Sequence, residues 1–220
     1  MDHLKLPAAL LWMLGYFAVM LGYTAVNVAV WRQLFPQAAP WLDLLTAAAC
    51  SATFLWLMHA RTGWSPRWTA GGAWTGLLLA AGCVLGFWLL LDCGLDPLLA
   101  RLLPSCEDAY QEAVQSLLAA PISSFFKVAV LAPVVEELLT RSFLLGGLRD
   151  GYGTAAALLV SIAVFALLHF NMVQTLSAAV CGLALGLLYL KTGSVFCCIL
   201  AHSGYNILSY LTMLWPHLSE

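Results

Sequence analysis

The stretch "APVVEELLTRSFL", residues 132–144, places Glu136, Glu137 and Arg141 inside an apolar run that begins near Ile122. A charged side chain at mid-bilayer costs about 2.5 to 3.5 kcal/mol on insertion scales, so three within so short a stretch need a partner or a polar cavity. Glu137 and Arg141 are four apart in sequence. In a helix they share one face and can offset each other's cost. Glu136 is rotated by roughly 100 degrees from Glu137 and is left without a local partner. An unpartnered carboxylate of this kind can take up and return a proton. Read alone, the triplet also fits a structural ion-pair knot between helices, or a helix that ends earlier and leaves Arg141 at the interface.

Two further polar groups recur at helical spacing. "FALLHF" carries His169 four residues after Phe165, and "AHSGYN" carries His202 and Asn206 four apart. An i, i+4 pair projects from one stripe of a helix. A single intramembrane His or Asn ordinarily serves as an interhelical hydrogen bonder. Here three separate apolar segments each supply such groups, which favours a shared site.

The elements that must position these residues are membrane helices. Of 220 residues 62% are hydrophobic and only 9% charged, whereas soluble domains carry roughly a quarter charged residues. Nine Trp and seven Tyr suit the interface between headgroups and hydrocarbon. With Lys plus Arg at 9 against Asp plus Glu at 11, no basic field is present to hold nucleic acid. A span needs about 20 mainly apolar residues. About seven segments qualify: Leu6 to Val30, Trp41 to His59, Thr69 to Leu91, Ile122 to Leu145, Thr154 to Phe170, Thr175 to Leu190 and Val195 to Leu214. The first is too long for the apolar region of a signal peptide. The expected fold is therefore all-α, a polytopic helical bundle forming one membrane domain over 1–220. Residues 1–120 supply accessory helices and an acidic loop; residues 121–213 form the motif-bearing core.

The acidic segment from Asp92 to Ala120 reads as an extramembrane loop, with a short amphipathic helix in "EDAYQEAVQSLL". Cys93 and Cys106 flank it and could pair in an oxidising compartment. Lys5, Arg61, Arg67, Arg149 and Lys191 fall on one side of the bundle, against Arg32 and Arg101 on the other. Positive residues in short loops stay cytoplasmic, so the N-terminus is expected inside. Counting about 1.5 Å per residue from the cytoplasmic span ends puts Glu136 roughly 15 Å deep, His169 about 22 Å and His202 about 12 Å. These depths leave the three unevenly aligned, in a site expected to face inward.

"EELLTR", "FALLH" and "HSGYN" resemble, in order, the EExxxR, FxxxH and HxxxN motifs of the CAAX protease and bacteriocin-processing (CPBP, or Abi) intramembrane proteases. "YLKTGSVFCCILAH" is similar to the usual lead-in of the third motif, and the resemblance covers about residues 121–210. It implies an intramembrane endopeptidase of a prokaryotic cell membrane that acts on a membrane-embedded or lipidated, CAAX-like peptide within the lipid bilayer. By the same resemblance Glu136 and His169 activate a water, while His202 and Asn206 stabilise the developing oxyanion. Glu137 and Arg141 support the helix. No cofactor is favoured, since HExxH is missing and Asn is a poor zinc ligand. A Zn2+ form held by Glu136, His169 and His202 is the alternative, and a non-catalytic immunity or transport protein is another. "GLALG", residues 182–186, is a GxxxG pattern that lets helices approach closely.

Overall fold

The computed structural model describes residues 4–68, 73–169 and 172–218, without the side chains of 73, 105–107, 109 and 216–218. Eight continuous helices run through the described residues, and no strand occurs among them. They are α1 (Leu6–Leu34), α2 (Ala39–Thr62), α3 (Trp74–Leu102), α4 (Pro104–Leu118), α5 (Pro121–Tyr152), α6 (Thr154–Leu167), α7 (Met172–Thr192) and α8 (Val195–Leu218). Local chemistry sets many of the ends. Pro opens α1, α2, α4 and α5 within their first turns, where its missing N–H costs nothing. Gly63 and Gly193 close α2 and α7 at φ 68° and 65°. Each donates its N–H to the carbonyl four residues back, His59 at 2.9 Å and Tyr189 at 2.7 Å, a left-handed helix stop that suits glycine.

Large apolar side chains point outward, Leu11, Trp74 and Leu78 each being more than two-thirds exposed. In hydrocarbon that is the stable arrangement, because helices satisfy their own backbone and lipid takes the side chains. Five helices, α1, α2, α3, α7 and α8, are long and apolar enough to cross a membrane, and α4 with α5 forms a bent sixth, broken by 118°. This is a multi-pass integral membrane protein. The fifth expected span, Thr154 to Phe170, is α6, which has 14 residues and is about 21 Å long, short of a 30 Å hydrocarbon core. The expected starts and ends at Thr69 and Phe170 lie outside the described residues.

The acidic loop is corrected by the structure. Asp92 and Asp96 belong to α3, which continues to Leu102, and the rest is α4. Both carboxylates point into the bundle: Ser209 Oγ donates to Asp92 Oδ1 at 2.8 Å, and Ser177 Oγ donates to Asp96. An apolar count treats each Asp as a span end, yet a serine donor to each half-buried carboxylate makes its position tolerable. Cys93 is exposed and free; the side chain of Cys106 lies outside the described residues.

α5 is the axis, packed by α6 and α8 along most of its length and also by α2 and α7. α6 and α7 pack tightly through the GxxxG glycines. A Cβ on Gly182 would lie 3.3 Å from Phe165, and one on Gly186 would collide with Leu158. These glycines therefore face α6 of the same chain. Gly186→Val should cost about 1 to 3 kcal/mol by overpacking, read as a lowered unfolding temperature in detergent.

Candidate active site

The backbone of α5 places its charges. Its backbone widens into π-helical turns at Phe126–Leu131 and Leu138–Leu145, on either side of Ala132–Glu137. Such turns are rare and concentrate at functional sites. In the first turn Ala132 N–H bonds the carbonyl five residues back, that of Lys127. The next carbonyl in that register, Val128, would need a donor from residue 133, which is proline and has none. Asn206 on α8 supplies the donor, its Nδ2 lying 2.8 Å from Val128 O. In the second turn Thr140 Oγ1 donates to Glu136 O at 2.6 Å, while Ser161 on α6 donates to Thr140 O at 2.8 Å.

The expected pair forms. Arg141 Nη1 lies 3.0 Å from Glu137 Oε1, with both side chains wholly buried. Arg141 also donates to Thr140 Oγ1 at 2.6 Å and to Gly182 O at 3.2 Å. Its Cζ sits 4.1 Å from the centre of the Phe165 ring. Removing either charge would strand the other in a medium that cannot solvate it. Glu137 Oε1 accepts a second bond, from His202 Nδ1 at 2.9 Å. Because a carboxylate only accepts, Nδ1 carries the proton and Nε2 faces away. Nε2 lies 4.0 Å from Glu136 Oε2.

Glu136 is the less buried carboxylate, with its side chain 18% exposed. It lines a cavity of about 320 Å³ together with His169, His202 and Asn206, as well as Tyr110, Ser177 and Tyr205. All four residues expected to carry chemistry thus border one space. The uneven depths resolve because α6 ends at Leu167, so His169 does not sit on a helix. It folds back over the helix end, its N–H on Ala166 O at 3.1 Å and its carbonyl taking Thr175 Oγ1 at 2.6 Å. His169 Nδ1 donates to Phe165 O at 3.0 Å, which leaves Nε2 as the acceptor nitrogen of the neutral ring. Phe165 packs edge-on against both imidazoles, at 5.2 Å from His169 and 5.4 Å from His202.

Among the described residues no three His, Cys, Asp or Glu side chains form a group that could hold a metal ion. Glu136, His169 and His202 share the cavity without converging on one point in that way. The Asn206 amide has one donor committed to Val128 and a second that the NH2 group still offers.

Sequence reasoning missed three features. His202 is oriented by Glu137, a long-range bond that no spacing encodes. Phe165 is more than a spacer, since it touches Arg141 and both histidines. The third is an ion pair in the bundle, Lys127 Nζ to Asp43 Oδ2 at 2.5 Å. Both of its members fall inside expected spans, and that alone could have flagged them. Lys127 borders a small second cavity between α1, α2 and α5: about 50 Å³ in volume, it is also lined by Tyr16, Tyr23 and Glu136.

The cavity opens among the end of α3, α4 and the end of α8, away from the start of α1, which packs on Tyr152 at the end of α5. A cytoplasmic N-terminus and an inward-facing site therefore exclude one another. Arg141→Met should destabilise by about 3 to 5 kcal/mol through the stranded Glu137. Arg141→Met with Glu137→Leu should recover most of that loss in thermal unfolding without restoring the orientation of His202.

The residues 118–208 match the family model described as type II CAAX prenyl endopeptidase Rce1-like. Comparison with curated proteins and with solved structures gives no match. The matched region holds all three motifs and every residue that borders the cavity with Glu136 from α5, α6 and the first part of α8. Residues 118–208 of this membrane protein carry an Rce1-like domain, consistent with a CPBP-family protease.

Proposed function

We propose that the protein is an intramembrane endopeptidase that hydrolyses a peptide bond of a membrane-associated substrate, a class that includes lipidated CAAX-like peptides, with water activated by Glu136 and His169. The single observation that supports this reading most is the shared cavity, in which a part-exposed carboxylate and two imidazoles from three different chain segments meet beneath lipid-facing helices. The Rce1-like match supports the reaction class.

A water in the cavity would give one proton to the Glu136 carboxylate as its oxygen attacks the scissile carbonyl carbon. His169 Nε2 would accept the second hydrogen of that water in a hydrogen bond, fixing its lone pair toward the substrate. The carbonyl π pair moves to oxygen, where the second N–H of Asn206 donates. His202 adds a donor only as the imidazolium, because Nδ1–H is committed to Glu137 and Nε2 must then carry a proton too. Collapse of the tetrahedral intermediate breaks the C–N bond, and the proton held by Glu136 passes to the leaving nitrogen. No covalent enzyme intermediate forms, and no step is routed through a metal. Glu137 and Arg141 act as positioning residues, since they touch His202 and the helix rather than the substrate.

The test is cleavage of membrane peptides by purified protein in liposomes. Glu136→Gln should lower the rate by about 100- to 10,000-fold, as expected for loss of a general base. Asn206→Ala should lower it by about 100-fold or more through the oxyanion. Unfolding temperatures should stay near wild type for Glu136→Gln and fall for Asn206→Ala, whose bond to Val128 is structural. Exhaustive chelation should leave the rate unchanged; loss restored by added zinc would establish the metal form. A protein that protects a partner or moves a solute while cleaving nothing would be the binding or transport alternative.

A further inference from the structure

The two ends of the bundle differ in charge. At one end the start of α1 meets the end of α5, with Leu6 N–H on the Tyr152 hydroxyl at 3.0 Å. The α7–α8 turn meets the segment after α2, with Val195 N–H on Arg67 O at 2.9 Å and Ser194 Oγ on Trp68 O at 2.6 Å. Lys5, Arg61, Arg67, Arg149 and Lys191 all belong to this end, five of the nine basic residues of the chain. The other end joins the end of α8 to the start of α5, Tyr210 Oη donating to Pro121 O at 2.8 Å. It carries Arg32 and Arg101 against Asp92, Asp96, Asp108 and Glu112. The two remaining cations, Lys127 and Arg141, lie within the bundle on Asp43 and Glu137.

The cavity belongs to the second end. Its rim includes Asp96, Tyr110, Leu117 and Met213, and no Lys or Arg stands among its lining residues. Positive residues near span ends are retained on the cytoplasmic side, whereas acidic residues contribute little to orientation. The basic end is therefore the cytoplasmic one. A free C-terminal carboxylate entering the cavity would meet Glu136 and Asp96 with no Lys or Arg among the lining residues to receive it, whereas an internal peptide bond carries no such charge.

We propose that the cavity opens on the non-cytoplasmic face of the membrane, so that its substrates are membrane-anchored polypeptides displaying an internal scissile bond on that face, not tails presented from the cytoplasm. This rests on the proteolytic reading, whose substrate class it narrows by setting CAAX-like C-terminal tails aside, and on the charge distribution for its direction. The two parts are tested separately. In a variant freed of native cysteines, Glu112→Cys and Arg61→Cys are labelled in intact cells with a membrane-impermeant maleimide, and again after permeabilisation. Labelling at Glu112→Cys in intact cells should exceed that at Arg61→Cys by about tenfold, the gap closing once the membrane is opened. The reverse order would overturn the direction.

Single-span reporters with the same cleavable segment on one face or the other then read the substrate class. Cleavage confined to the reporter displayed outside supports the proposal, and cleavage of the inside reporter overturns it. Cleavage of neither reporter, or of any other membrane peptide, would defeat the proteolytic reading and its substrate class together, while the labelling would still decide the direction.

Discussion

The Glu137–Arg141 pair is the constraint around which the rest is arranged. Two full charges with no exposed surface can persist in a membrane bundle only if each finds charge-assisted bonds in fixed places. Arg141 is held by Glu137, by Thr140 and by the Gly182 carbonyl, with the Phe165 ring against its guanidinium. Those demands dictate how close α7 comes to α5 and where α6 must place its aromatic ring. The leftover capacity of Glu137 Oε1 fixes His202. The chemistry of the cavity thus inherits its geometry from an ion pair that never touches it.

Backbone irregularity does the remaining positioning. Pro133 removes a donor inside a π-helical turn, and Asn206 repairs the loss from α8. An asparagine expected to act as an oxyanion donor is therefore also the clasp between two helices. A close approach through Gly182 and Gly186 lets α6 be short and still packed. Because α6 stops early, His169 turns toward the cavity rather than continuing up a helix.

The all-α membrane architecture was legible in composition and in the lengths of the apolar runs. The buried pair was legible from the spacing of Glu137 and Arg141, and the four cavity-lining groups from three motifs on separate segments. Less visible were features set by contacts remote in sequence. Asp92 and Asp96 look like loop residues until Ser209 and Ser177 are seen to receive them. Lys127 and Asp43 are 84 residues apart, so neither predicts the other. The depth of His169 could not be counted along a helix that ends before reaching it. Span counts overreached for the same reason, since an apolar run of adequate length can break into a bent pair or end short. Charge asymmetry was readable from the start, but its meaning for the site required knowing at which end the cavity opens.

The central claim is that Glu136 and His169, held on different segments, act as one unit upon a water in a shared cavity. Groups that act together are strongly non-additive when removed. The direct test is the cleavage rate of Glu136→Gln and His169→Ala combined, set against each alone in the same liposomes. The account predicts a double variant no slower than the slower single one. Losses that multiply, or either single variant cleaving at the wild-type rate, would contradict it.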